Sequence, residues 1–186
     1  MGILRNLRRT SGHFALALLA AMYTMPGAQA QISIDRERQI KAAFLYNFVK
    51  FVEWPVEALP ASGDTISICV LSDDPVYEAL ETIDGKPVKG RRLTVRRVDA
   101  VKDLTSCHVA YFGITEEKRL PQFLRDLQGS SVLTVGEIDR FAQSGGIINL
   151  VVVNNKVRFE INVDQAERAH LKLGSLLLSV ATIVKE

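Results

Sequence analysis

The chain has 186 residues, with 23 basic and 21 acidic side chains and a formal net charge of +2. Three of the arginines and none of the acidic residues lie in the first thirty positions, so the remainder carries 20 basic against 21 acidic residues. This near-neutral balance gives no electrostatic reason to expect nucleic-acid binding. Residues 31–186 are sufficient for one domain with a hydrophobic core.

The first thirty residues are predicted to be a secretory signal peptide. Arginines make the start basic, and an apolar stretch follows from about Phe14 to Tyr23. Ala28-Gln29-Ala30 then places small residues at the two positions that signal peptidase recognises. The apolar stretch is about half the roughly 20 residues of a membrane-spanning helix. We therefore expect export with cleavage after Ala30, with an uncleaved anchor as the alternative.

Cys69 and Cys107 are the two cysteines of the chain, an even number in a sequence predicted to be exported. Their spacing differs from the C-x-x-C of redox pairs, and only His108 and His170 are available as histidine ligands beyond the leader. We therefore expect a structural disulfide and neither a metal nor a cofactor.

Asp35 is predicted to cap a helix that continues to about Glu53 and ends before Pro55. Its apolar residues recur at spacings of three and four, which predicts one buried stripe. That stripe comprises Ile40, Phe44, Phe48 and Phe51.

The middle of the chain alternates between apolar, β-rich runs and helical patterns. Strands are predicted near 66–71, 93–98, 109–112 and 132–135, and helices near 76–83 and 116–128. Such alternation is typical of an α/β sandwich with a largely parallel sheet.

The last third of the chain predicts a hairpin followed by two helices. Two β-rich runs flank Asn154-Asn155, which suits a two-residue turn. Asn162 is predicted to cap the next helix, and Gln165 would complete a capping box. A final helix is predicted over about 174–184, apolar on most sides. Such a helix is normally core, but it can also serve as a partner or homodimer surface.

Asp73 and Asp74 follow a predicted buried strand, where open α/β sheets place their ligands. Two carboxylates at that position suit a magnesium ion. The simpler interpretation is that Asp74 caps the next helix, with Pro75 in its first turn.

Arg158, Glu160 and Asn162 are expected on one face of a strand. They could form a ligand pocket or a partner surface. Alternatively, Arg158 and Glu160 pair along a solvated face, which would contribute well under about 1 kcal/mol.

Catalytic patterns are missing from the sequence. It contains no G-x-S-x-G elbow, no H-E-x-x-H and no S-x-x-K element. Gly145-Gly146 precedes a predicted strand and therefore indicates a turn, not a phosphate-binding loop. We expect a non-enzymatic protein.

Four segments together resemble the YfiR family and span nearly all of residues 31–186. They are Leu45-Tyr46-Asn47-Phe48-Val49-Lys50-Phe51-Val52-Glu53-Trp54-Pro55, Phe141-Ala142-Gln143-Ser144-Gly145-Gly146-Ile147-Ile148-Asn149-Leu150, Val157-Arg158-Phe159-Glu160-Ile161-Asn162 and the apolar end 171–184. The chain departs from the family at Gly174-Ser175, where many members have two serines. It also lacks the extra cysteines that some members have in their second half.

The resemblance implies a periplasmic regulator without a cofactor. Characterised relatives repress an inner-membrane diguanylate cyclase by binding its periplasmic sensor part, and an outer-membrane lipoprotein can sequester them. Lower cyclic-di-GMP then means less biofilm. The alternative function is a periplasmic small-molecule binding module that acts with a membrane receptor or sensor kinase.

Overall fold

The computed structural model describes residues 27–59, 63–71 and 73–185, and side chains from Ile34 onward. The chain divides into two compact units, Met1–Ile34 and Asp35–Glu186, and the second contains the sheet. The predicted leader lies mostly outside the described residues. None of the helices within the described ranges has the length and apolar character of a membrane span.

The helices are short apart from the first. They are α1 Gly27–Phe51, α2 Val76–Glu81, α3 Val101–Leu104, α4 Leu120–Asp126, α5 Val163–Arg168 and α6 Ser175–Ser179, with a 3₁₀ turn at Ile114–Glu116. The strands are β1 Val52–Glu53, β2 Thr65–Leu71, β3 Pro87–Val88, β4 Arg91–Val98, β5 Val109–Phe112, β6 Leu133–Gly136, β7 Ile148–Val153, β8 Lys156–Asn162, β9 Lys172–Leu173 and β10 Thr182–Val184.

Eight strands form one sheet in the order β10-β8-β7-β6-β5-β2-β4-β3. The run from β4 to β7 is parallel throughout, and β8 joins β7 as an antiparallel hairpin partner. Strand β10 pairs with β8 in parallel, β3 pairs with β4 antiparallel, and β1 with β9 makes a separate two-stranded ribbon. The predicted α/β fold with a mostly parallel sheet and a C-terminal hairpin is confirmed.

The centre of the sheet is covered on both faces, as expected for parallel strands that are apolar along their whole length. Alternate residues of β2 belong to different apolar clusters: Ile66 and Ile68 pack on the α1 side, whereas Cys69 and Leu71 pack on the α4 side. Strand β5 is buried at every position. The sequence runs that predicted buried strands therefore lie at the middle of the molecule.

Helix α1 differs from its prediction in start and orientation. Asp35 lies inside the helix and ion-pairs with Arg38, so it is not the cap. Ile40 is exposed, and the buried positions are offset by one or two residues along the helix. They are Lys41, Ala42, Leu45, Phe48 and Val49. The predicted stripe was displaced because its phenylalanines at 44 and 51 lie at the margin of the buried face and remain half-buried.

The predicted final helix over 174–184 is wrong in its second half. Helix α6 ends at Ser179, and residues 182–184 instead form β10 beside β8. Thr182, Ile183 and Val184 are β-branched, which favours a strand once an open sheet edge is available for pairing. The predicted helix over 116–128 is likewise split into a 3₁₀ turn and the shorter α4.

The turn chemistry of the last third is confirmed. Asn154 and Asn155 both have positive φ, at 51° and 58°, as the hairpin between β7 and β8 requires. The Gln165 N–H donates to the Asn162 side chain over 3.0 Å, which caps α5. The Asn162 N–H itself donates to the Ile147 carbonyl, so it does not complete a capping box with Gln165.

A disulfide joins Cys69 in β2 to Cys107 just before β5, with 6.0 Å between their Cα atoms. The two strands are neighbours in the sheet, which brings the cysteines together. Arg96 lies beside the bridge, with its guanidinium 3.6 Å from the Cys69 sulfur and 3.4 Å from the Cys107 sulfur.

Reduction of this disulfide is expected to lower the free energy of unfolding by about 4 kcal/mol, because it releases a loop of 38 residues in the unfolded chain. Urea unfolding with and without reductant measures the difference. The Cys69→Ala/Cys107→Ala protein should not respond to reductant. Equal stability of the oxidised and reduced protein would contradict a stabilising role.

Candidate functional site

The structure separates the two aspartates at the carboxyl end of β2. The Asp73 side chain is 88% exposed, and its Oδ1 lies 2.6 Å from the Arg97 guanidinium. Asp74 is only 6% exposed and points into the protein. The two carboxylates therefore do not share one ligand site. Within the described ranges, no three His, Cys, Asp or Glu side chains group as metal ligands would.

Asp74 stabilises the start of α2. The Val76 N–H donates to its Oδ1 over 2.8 Å, although Pro75 occupies the boundary position of the helix. The carboxylate lies directly against Gly113, where an added Cβ would be 1.6 Å from Oδ2. Asp74 thus depends on a glycine in the loop after the neighbouring strand β5.

Lys41 connects α1 to the same edge of the sheet. Its ammonium forms ion pairs with Glu37, at 2.7 Å, and with Glu137, which follows β6. The Tyr111 hydroxyl of β5 donates to the other oxygen of Glu137 over 2.7 Å. We call Lys41, Asp74, Tyr111 and Glu137 the edge cluster. It occupies the carboxyl ends of three adjacent parallel strands.

The charges of the edge cluster compensate one another. Burial on its own lowers the pKa of Lys41, but hydrogen bonds to Glu137 and Glu37 outweigh it and the pKa lies above its ordinary value. Burial raises the pKa of Asp74, and the charge of Glu137 raises it further, against the Val76 hydrogen bond. Burial and Glu137 also raise the pKa of Tyr111 well above its usual range, so its phenol keeps its proton. The cluster fixes α1 to the sheet.

His108 is close to Cys107, but Cys107 is in the disulfide and cannot act as a thiolate. The His108 ring accepts a hydrogen bond from the Ser67 N–H through Nδ1 over 3.0 Å. Burial lowers the pKa of His108, and Arg91 and Arg96 lower it further. The ring packs edge-on against Trp54, with 6.1 Å between centroids. These contacts assign His108 a role in packing.

Arg158, Glu160 and Asn162 alternate along β8, but they differ in exposure. Arg158 is exposed, whereas Glu160 is half-buried and accepts hydrogen bonds from the amides of Gln143 and Asn149 at 3.3 and 3.4 Å. Asn162 is fully buried and caps α5. Only the first two of these side chains reach solvent.

Three apolar side chains beside this strand are solvent-exposed. Leu176 and Val180 are each 69% exposed, and Ile183 of β10 is 49% exposed. We call these residues the C-terminal patch. Sequence reasoning placed them in an apolar helix but could not tell which of its sides would remain uncovered. The patch lies at the end of the sheet opposite β3.

The chain belongs to the YfiR/HmsC-like family, whose model matches residues 38–182. This membership supports a regulatory role in the periplasm rather than catalysis.

Solved structures of low identity share the fold. A conserved domain protein from Vibrio cholerae O1 biovar El Tor is 16% identical, with a TM-score of 0.50 over 70% of this chain and 57% of that chain. The ABC domain from Streptococcus pneumonia, in complex with L-Trp, is 12% identical, with a TM-score of 0.45 over 69% of this chain and 58% of that one. This chain therefore spans less than two thirds of either protein.

Lys41→Met is expected to cost about 2–4 kcal/mol of unfolding free energy, because it leaves the largely buried Glu137 carboxylate without its ammonium. Adding Glu137→Gln should recover part of this loss, since the double variant has no unpaired charge. Urea unfolding of both variants measures the coupling. Lys50→Met, on an exposed position of the same helix, should cost less than about 1 kcal/mol. Additive losses from Lys41 and Glu137 would refute the coupling.

Asp74→Asn is expected to become more favourable, relative to the wild type, as the pH rises from 4 to 7. The folded state raises the pKa of Asp74, so it binds this proton more tightly than the unfolded chain does. Deprotonation above pH 3.8 therefore lowers the stability of the wild type, whereas asparagine keeps an oxygen for the Val76 N–H and has no charge to bury. Melting temperatures across this range measure the difference. Asp73→Asn is the matched control, and a pH-independent difference for Asp74→Asn would contradict the expectation.

Proposed function

We propose that the protein is exported, loses residues 1–30, and represses an inner-membrane diguanylate cyclase by binding its periplasmic sensor part. The observation that carries this proposal is the match of residues 38–182 to the YfiR/HmsC-like family. Characterised relatives, by the resemblance described above, act on such a cyclase and are sequestered by an outer-membrane lipoprotein. The disulfide supports export, because such bonds persist in oxidising compartments.

The C-terminal patch, together with Arg158 and Glu160, is our candidate contact surface for the cyclase. Exposed leucine, valine and isoleucine side chains suit the apolar centre of an interface, and charged residues suit its rim. Lys156, Arg158 and Lys185 are exposed on β8 and directly after β10. A partner with an apolar centre and acidic residues around it would complement this surface. The same patch also suits a homodimer, which light scattering would detect.

Repression requires that the protein bind the inactive state of the cyclase more tightly than the active one. A tenfold shift between the two states needs about 1.4 kcal/mol of differential binding. A single well-packed apolar side chain at an interface can contribute this much. No catalytic group is needed for such a mechanism.

Deletion of the gene is expected to raise intracellular cyclic-di-GMP in the source bacterium, and a full-length copy should restore the lower level. A copy lacking residues 1–30 should not restore it, because the product would stay in the cytosol. Cyclic-di-GMP in cell extracts is the measurement. An unchanged level on deletion would remove the cyclase from the proposal.

Leu176→Asp/Val180→Asp tests the contact surface in the same strain. Both positions are solvent-exposed, so the protein should fold but fail to lower cyclic-di-GMP. Ile114→Asp places a charge on another exposed apolar residue, at 66% exposure, and should repress normally. Full repression by the double variant would exclude this surface.

A further inference from the structure

A cleft of about 650 Å³ lies between α4 and α5, beside β6 and the loop that leads to β7. Its volume is within the usual range of small-molecule sites, which is about 300–1,000 Å³. None of its lining residues belongs to the edge cluster or the C-terminal patch. The cleft therefore lies apart from both features described above, and inferences about it do not rest on the proposed function.

The charged side chains that line the cleft are all basic. Arg125 comes from α4 and Arg168 from α5, so each wall contributes one guanidinium. The lining includes no aspartate or glutamate. A carboxylate entering the cleft would therefore meet positive charge from both helices, and guanidinium groups match a carboxylate with two parallel hydrogen bonds.

The rest of the lining combines apolar and neutral polar groups. Leu124, Leu127, Val132 and Ile147 provide apolar surface. Thr134 lies among them, but its hydroxyl already accepts the Ile147 N–H over 2.9 Å. A fully hydrated inorganic anion would leave this apolar surface without a partner. The lining therefore favours a ligand with an acidic group and an apolar body.

We propose that the cleft between α4 and α5 binds a small organic carboxylate, with its acid group toward Arg125 and Arg168 and its apolar body against Leu124 and Leu127. The cavity is too small for a folded partner, which distinguishes this site from the protein-binding surface. Such a ligand would add a second input to the protein, because binding stabilises whichever conformation holds the cleft in shape.

Isothermal titration of octanoate into the protein purified from cells expressing the full chain tests this proposal. Octanoate should bind, and 1-octanol and octylammonium should bind at least tenfold more weakly, since neither supplies an anion. Arg125→Gln should weaken octanoate binding by about tenfold. Arg92→Gln, which removes an equally exposed arginine from β4, should leave it unchanged. Octanoate that fails to bind, or that binds Arg125→Gln as tightly as the wild type, would overturn the assignment.

A second variant separates the two parts of the site. Leu124→Gln should weaken octanoate binding while leaving any binding of inorganic phosphate unchanged, because phosphate has no apolar body. If phosphate binds as tightly as octanoate and Leu124→Gln has no effect on either, the cleft is a simple anion site and the organic carboxylate is excluded. Circular dichroism melting of each variant reports whether it is folded. Cyclic-di-GMP levels play no part in this readout, so its failure would not affect the proposed function.

Discussion

Burial of the parallel strands on both faces is the constraint on which the rest of the structure depends. Strands β2 and β5 alternate their side chains between two apolar clusters, so each face needs its own cover. Helix α1 covers one face, and α4 with the disulfide covers the other. Because the backbone of these strands is satisfied only within the sheet, loss of either cover would expose apolar surface that has no other partner.

The carboxyl edge of the sheet, where open α/β folds usually bind ligands, is occupied here by the protein's own side chains. Lys41, Tyr111 and Glu137 satisfy one another across three elements, and Asp74 packs against Gly113. Binding is therefore displaced outward in our proposals, to the C-terminal patch and to the cleft between α4 and α5. A closed edge also explains why the aspartates that sequence reasoning singled out do not form a metal site.

Signals carried by a few neighbouring residues predicted the structure well. The asparagine pair of the hairpin, the Asn162 cap and the apolar central strands each depend on local chemistry, and each is present. The Lys41–Glu137 ion pair joins residues 96 positions apart, which no local pattern reveals. The last strand was missed because its apolar residues suit a helix as well as a strand, and the open edge of β8 decides between them. Exposure of the C-terminal patch likewise depends on which elements cover it.

The position of the disulfide has a consequence for a damaged chain. Cys69 and Cys107 enclose α2, α3, β3 and β4, while the bridge itself lies between two central strands. A protease that cut the backbone once anywhere inside this segment would leave a single covalent molecule. Both fragments would keep β2 beside β5, since that pairing joins the two sides of the cut. The bridge therefore makes the centre of the sheet independent of the continuity of the peptide chain around it.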